Sequence, residues 1–125
     1  MNTEFISYAE AVALKELGFD DECLAIYTSY STAMQKYYKN PALLVVRQKS
    51  QFTQKTAIKA PLYQQAFRWF REKHDLGHMI NGIGHESFIM NIAGLLHIFN
   101  AFDFETYEEA ELACLQKLIE IVKNK

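Results

Sequence analysis

Apolar positions recur at helical spacing in three stretches of the chain and run together or alternate in the segments between them. The strongest helical signal covers residues 60–77, APLYQQAFRWFREKHDLG. Leu62, Ala66 and Trp69 form one apolar row, and Tyr63, Phe67, Phe70 and His74 form the row beside it. Together they make a stripe broad enough to require a buried partner surface. Pro61 suits the first turn of a helix, where its missing N–H is not needed, and Gly77 suits a left-handed stop. Each large ring buries roughly 150–250 Å², worth several kcal/mol at about 25 cal/mol/Å² as an upper value. This stretch is expected to be the central core helix.

The flanking helices announce themselves by their starts. Ser7-Tyr-Ala-Glu10 is a capping box, with Ile6 and Ala11 placed for a hydrophobic staple, and the helix it opens over 8–17 ends at Gly18. Thr106-Tyr-Glu-Glu109 is a second capping box, opening a helix over 107–122. Its acids gather in the first turns and its lysines toward the end, both favourable to the helix dipole.

Strand patterns occupy the rest. Residues 23–30 alternate, 43–47 (LLVVR) form a second strand, and 55–59 are a connector or short strand. Residues 31–40 suit either a short helix or a hairpin arm, and Asn40-Pro41 marks a turn. After Gly77 come a strand at 78–80, the hairpin signal Asn81-Gly82, and strands at 88–92 and 95–99, with Gly94 as a bulge or bend. The last two are too uniformly apolar for a half-exposed strand, so they are expected to be central in a sheet or to form a subunit interface. The fold class is therefore α+β: an antiparallel sheet of about four to five strands with three helices, in the order α-β-β-α-β-β-α, helices packed on one sheet face.

Three strings carry a family resemblance: the opening AVALKELGFDDEC, the mid-chain APLYQQAFRWFREK, and TYEEAELACLQKLIEIV near the end. In that order they resemble a group of small uncharacterised proteins from gut Bacteroidetes and their phages. The resemblance implies a phage-linked or mobile-element-linked accessory protein of the bacterial cytoplasm. It brings no reaction, ligand or site residue with it.

Composition narrows the class. At 125 residues, half of them apolar and 14% aromatic, the chain is expected to be a single domain over 1–125 with a real core and no disorder signature. Cys23 and Cys114 lie far apart without metal-ligand spacing and are expected to be reduced, buried thiols. The N-terminal residues lack a secretion signal, and the longest uncharged run, 87–102, is too short and too polar to span a bilayer. A cytoplasmic location is expected, with no membrane association.

Charge is divided unevenly. From Cys23 to Arg71 there are eight lysines and arginines and no acid, whereas the remainder holds all 15 acids against five bases. Within the basic window Lys36, Lys39, Arg47, Lys49, Lys55 and Lys59 alternate with Tyr30, Tyr37, Tyr38 and Phe52. Cations beside stackable rings are what an anion, nucleotide or nucleic-acid site requires. The same asymmetry suits a basic face on one copy meeting an acidic face on another, or solvated surface lysines.

Candidate chemistry is sparse. His74-Asp-Leu-Gly-His78 with His85 beyond resembles a zinc-hydrolase pattern. It departs in having Asp75 for the usual Glu, six residues between His78 and His85, and a glycine stop before His78. His97 in an apolar strand is expected to be a hydrogen-bonded core or interface residue. Cys23 sits among Asp20, Asp21 and Glu22, which disfavours a thiolate nucleophile. No catalytic residue, metal or cofactor is assigned. The leading expectation is a non-enzymatic accessory protein acting through a homodimer or another protein partner, with the apolar 87–102 region as the contact. The alternative is a binder of nucleic acid or a phosphorylated small molecule at the basic window, and the third is a metal-dependent hydrolase at His74, His78 and His85.

Overall fold

A computed structural model describes residues 4–29, 42–46, 58–83, 85–91, 94–100 and 103–125. Among these are helices α1 (Tyr8–Glu16), α2 (Tyr63–His74) and α3 (Tyr107–Lys123). The strands are β1 (Ala25–Ser29), β2 (Ala42–Val46), β3 (Ile58–Ala60), β4 (Gly77–Ile80), β5 (Ser87–Asn91) and β6 (Gly94–Phe99). The α+β class and the antiparallel pairing are those expected. The strands divide into two three-stranded sheets, β2-β1-β3 and β4-β5-β6, where the sequence pattern suggested one. The chain correspondingly falls into two compact units, one running to Leu62 and one from Tyr63 to Lys125. The alternatives left open for 31–40, and the turn at Asn40-Pro41, lie outside the described residues.

In the first unit β1 is the central strand, with Ile26 opposite Val45 on one side and Lys59 on the other. Helix α1 packs on β3. Ile6 N–H donates to the Pro61 carbonyl at 3.0 Å, and the Tyr27 hydroxyl donates to the Ile6 carbonyl at 2.7 Å. These bonds fasten the segment before α1 to the sheet. Gly18, at φ 99°, takes the left-handed stop after α1, and Phe19 N–H returns to the Leu14 carbonyl at 2.9 Å. The start differs from the expected capping box. Ser7 Oγ donates a charge-assisted bond to Glu10 Oε2 at 2.8 Å and caps no backbone N–H.

In the second unit α2 is shorter than its sequence signal. Pro61 stays outside the helix, and Asp75, not Gly77, takes the left-handed stop at φ 54°. Leu76 N–H then reaches back to the Phe70 carbonyl at 3.2 Å, one residue further than the closing bond after Gly18. Asp tolerates this backbone because its side chain is short and polar, and Gly77 is freed to open β4. Thr106 Oγ1 accepts from Glu109 N–H at 3.1 Å, as a capping box requires, while Glu109 Oε2 accepts from Glu105 N–H at 3.0 Å. The β4–β5 hairpin is closed by Asn81 N–H donating to the Glu86 carbonyl at 2.8 Å. Its loop is longer than the two residues suggested by Asn81-Gly82, and His85 takes a left-handed backbone at φ 57°. Between β5 and β6 the register shifts at Ile89/Met90, which leaves Leu96 as the extra residue of a bulge.

Candidate interaction face

Strand parity decides which residues of the second sheet meet the helices. His78, Ile89 and His97 stand opposite one another, as do Ile80, Ser87 and Phe99. Ser87 and Ile89 are buried on this inner side, against which both α2 and α3 pack. The opposite parity carries Met79, Phe88 and Ile98 on one rung and Gly77, Met90 and Leu95 on another, with the bulge residue Leu96 beside them. This outer side is left open. Met79 is 56% exposed, Leu95 51%, Leu96 46% and Ile98 46%. No Asp, Glu, Lys or Arg occurs in β4, β5 or β6. These four side chains flank the half-buried Phe88 and Met90 of the middle strand, and together the face presents apolar surface on the order of a few hundred Å², the scale at which such patches mark interaction sites.

The inner side is built for packing. The His78 ring stacks on Phe67, and burial, with the Arg71 guanidinium adding to it, pushes the imidazole down to about 4. It is neutral at physiological pH. Ser87 Oγ donates to the His85 carbonyl at 3.0 Å, and the neighbouring Cys114 thiol is pushed up chiefly by burial. A thiol so held is protonated and poorly nucleophilic.

The histidines singled out in the sequence do not converge. His74 ends α2 with its ring edge-on to Trp69, at a centroid separation of 4.8 Å. His78 stands on β4, after the turn at Asp75, so the two never share a helix face as zinc-binding i,i+4 histidines do. His85 lies in the hairpin loop, 6.4 Å from the Tyr107 ring between centroids, with its Nδ1 buried and unpartnered among the described residues. Among those residues no group of three His, Cys, Asp or Glu side chains is arranged to hold a metal ion. His97 packs edge-on to Phe99, at 4.5 Å between ring centroids.

Of the basic window, Lys36, Lys39, Arg47, Lys49 and Lys55 lie outside the described residues. Lys59 is engaged within its own unit, its Nζ 3.0 Å from Asp20 Oδ1 and 2.8 Å from the Asp20 carbonyl. Cys23 is buried, its Sγ donating to the Asp21 carbonyl at 3.4 Å, and both cysteines are free thiols. Among the described residues no helix is long and apolar enough to cross a membrane.

A shallow depression of about 280 Å³ lies at the end of the sheet beside the Gly77–Met90 rung, lined by Arg71, Asp75, Leu76, Gly77, Met90 and Asn91. Sequence reasoning located the apolar 87–102 region but missed Met79 and this depression. The signal for Met79 was present: strands apolar at both parities, GHMI included, leave an uncovered side whenever helices cover only one. No protein-family model, curated protein or solved structure matches this chain.

Proposed function

We propose that this chain is a non-enzymatic accessory protein that works by self-association through the outer face of the β4-β5-β6 sheet. The observation that carries the proposal is the uncharged rung Met79–Phe88–Ile98 and its neighbours Leu95 and Leu96, a side of the sheet that, among the described residues, neither α2 nor α3 covers. A stable interface buries roughly 800 Å² per partner, of which somewhat more than half is apolar. The exposed leucines, isoleucine and methionine supply most of that apolar share, and Phe88 and Met90, half-buried on the same side, supply more. The resemblance of APLYQQAFRWFREK and TYEEAELACLQKLIEIV to phage-associated proteins of gut Bacteroidetes supports a phage or mobile-element setting in a bacterial cytoplasm.

Light scattering coupled to size exclusion tests the proposal. A dimer that Ile98→Lys converts to a folded monomer is the expected result. A wild-type chain that stays monomeric up to high micromolar concentration overturns it.

A further inference from the structure

We infer that the depression at Gly77 is the socket of this self-association, closed by reciprocal ion pairs between Arg71 of one copy and Asp75 of the other. The inference rests on the self-association proposed above and adds to it a register and a symmetry.

Three observations converge. First, Gly77 is the gap in the outer face. It pairs with Met90, and a Cβ placed on it would lie 3.9 Å from the Met90 carbonyl oxygen and 4.0 Å from Met90 Cγ. Those are ordinary contacts, so among the described residues no side chain fills the space. Second, the concavity has an apolar floor in Leu76 and Met90, suited to an apolar side chain from the exposed leucines of a second copy. Third, its rim carries one full charge of each sign. Arg71 and Asp75 are both exposed, and among the described residues neither is held in an ion pair. They stand four apart in sequence, but the left-handed turn at Asp75 removes its carboxylate from the helical geometry in which an i,i+4 pair would form.

A patch that bears both charges, neither of them in an ion pair among the described residues, is self-complementary. In a two-fold dimer every contact occurs twice, so Arg71 meeting the partner's Asp75 requires Asp75 to meet the partner's Arg71. The uncharged strands then supply the buried area and the rim pairs supply register and orientation. A ligand of one sign would use only half of this rim. A second copy uses all of it.

The test is sedimentation velocity on the full chain at low and high salt, with Arg71→Asp, Asp75→Arg, the double variant, Gly77→Leu and Ile98→Lys. Each single reversal places like charges together and is expected to raise the dimer Kd roughly tenfold at low salt, less at high salt, with the double variant restoring association. Gly77→Leu fills the socket and is expected to abolish the dimer while thermal unfolding stays near wild type. Should Gly77→Leu fail to fold, the exposed charge variants still decide. Single reversals without effect, or a double variant that fails to recover, overturn the socket, while loss of the dimer in Ile98→Lys alone leaves the parent proposal standing. A wild type monomeric throughout removes both.

Discussion

The imidazole of His78 lies flat on the ring of Phe67, with centroids 3.6 Å apart and planes 18° apart. Phe67 is on the buried stripe of α2 and His78 on the inner side of β4, so one stacked pair joins the helix to its sheet. The arrangement requires a neutral imidazole, because a charged one would lose its hydration against an aromatic wall with the Arg71 guanidinium nearby.

That requirement makes stability depend on pH. The unfolded chain protonates His78 near 6.5, whereas the folded chain resists protonation until about 4. The unfolded state therefore binds more protons between these values, and stability rises with pH across that window. The contribution is complete above about pH 6.5 and is lost as pH falls toward 4, amounting to about 2 kcal/mol once solvent at the ring edge is allowed for. Urea unfolding of His78→Phe, which retains the stack, should show a correspondingly shallower loss of stability between pH 7 and 4. An unchanged slope would remove His78 as its source.

Core and face should respond oppositely to substitution. Phe67 and Leu118 are almost fully buried, and Phe67→Ala or Leu118→Ala should cost about 3–5 and 2–5 kcal/mol respectively. Leu96→Ser on the outer side should change monomer stability by no more than about 0.5 kcal/mol, since a surface substitution leaves no cavity. Chemical denaturation at a concentration where the chain is monomeric separates the two classes.

The glycines divide likewise. Gly18 sits at φ 99°, so Gly18→Ala should cost about 1 kcal/mol although nothing lies within 4 Å of the new Cβ. Gly77 has no left-handed backbone and room for a Cβ, so Gly77→Ala should leave the melting temperature within a few degrees of wild type. Differential scanning calorimetry of the two variants provides the comparison.

Thr106→Ala removes the acceptor for Glu109 N–H and should cost about 1 kcal/mol, whereas Thr106→Ser should keep it. Equal destabilisation by both, measured by urea titration, would assign the loss to the missing methyl group and not to the cap.

Both thiols should be silent to a thiol reagent in the native state. Cys23 and Cys114 are buried, and burial pushes the Cys114 thiol above its ordinary range. Labelling should appear only as the chain opens, with a denaturant dependence that follows unfolding.

Residue order and local pattern made much of the fold legible. The apolar rows of α2 and α3, the cap at Thr106, the glycine stop at Gly18 and the approximate positions of five of the six strands follow from propensity, periodicity and turn chemistry, which act over a few neighbours, whereas 55–59 read equally as a connector and four to five strands were expected. Errors occurred where two local solutions compete closely. Asp75 displaced Gly77 as the stop of α2, and Ser7 turned to the Glu10 carboxylate in place of a backbone donor. In each case the difference is of the order of a single hydrogen bond, too small for pattern to resolve.

The candidate face was only half visible. The sequence by itself determined that 87–102 is apolar and uncharged, and that His74, His78 and His85 are spaced in a way that invites a metal reading. Only the tertiary structure decided that α2 and α3 cover one parity of β4, β5 and β6, leaving Met79, Leu95, Leu96 and Ile98 in the open, and that a turn at Asp75 sends the histidines apart. The physical reason is that a strand exposes its two sides alternately by local geometry, but which side is buried is settled by long-range packing between elements distant in sequence.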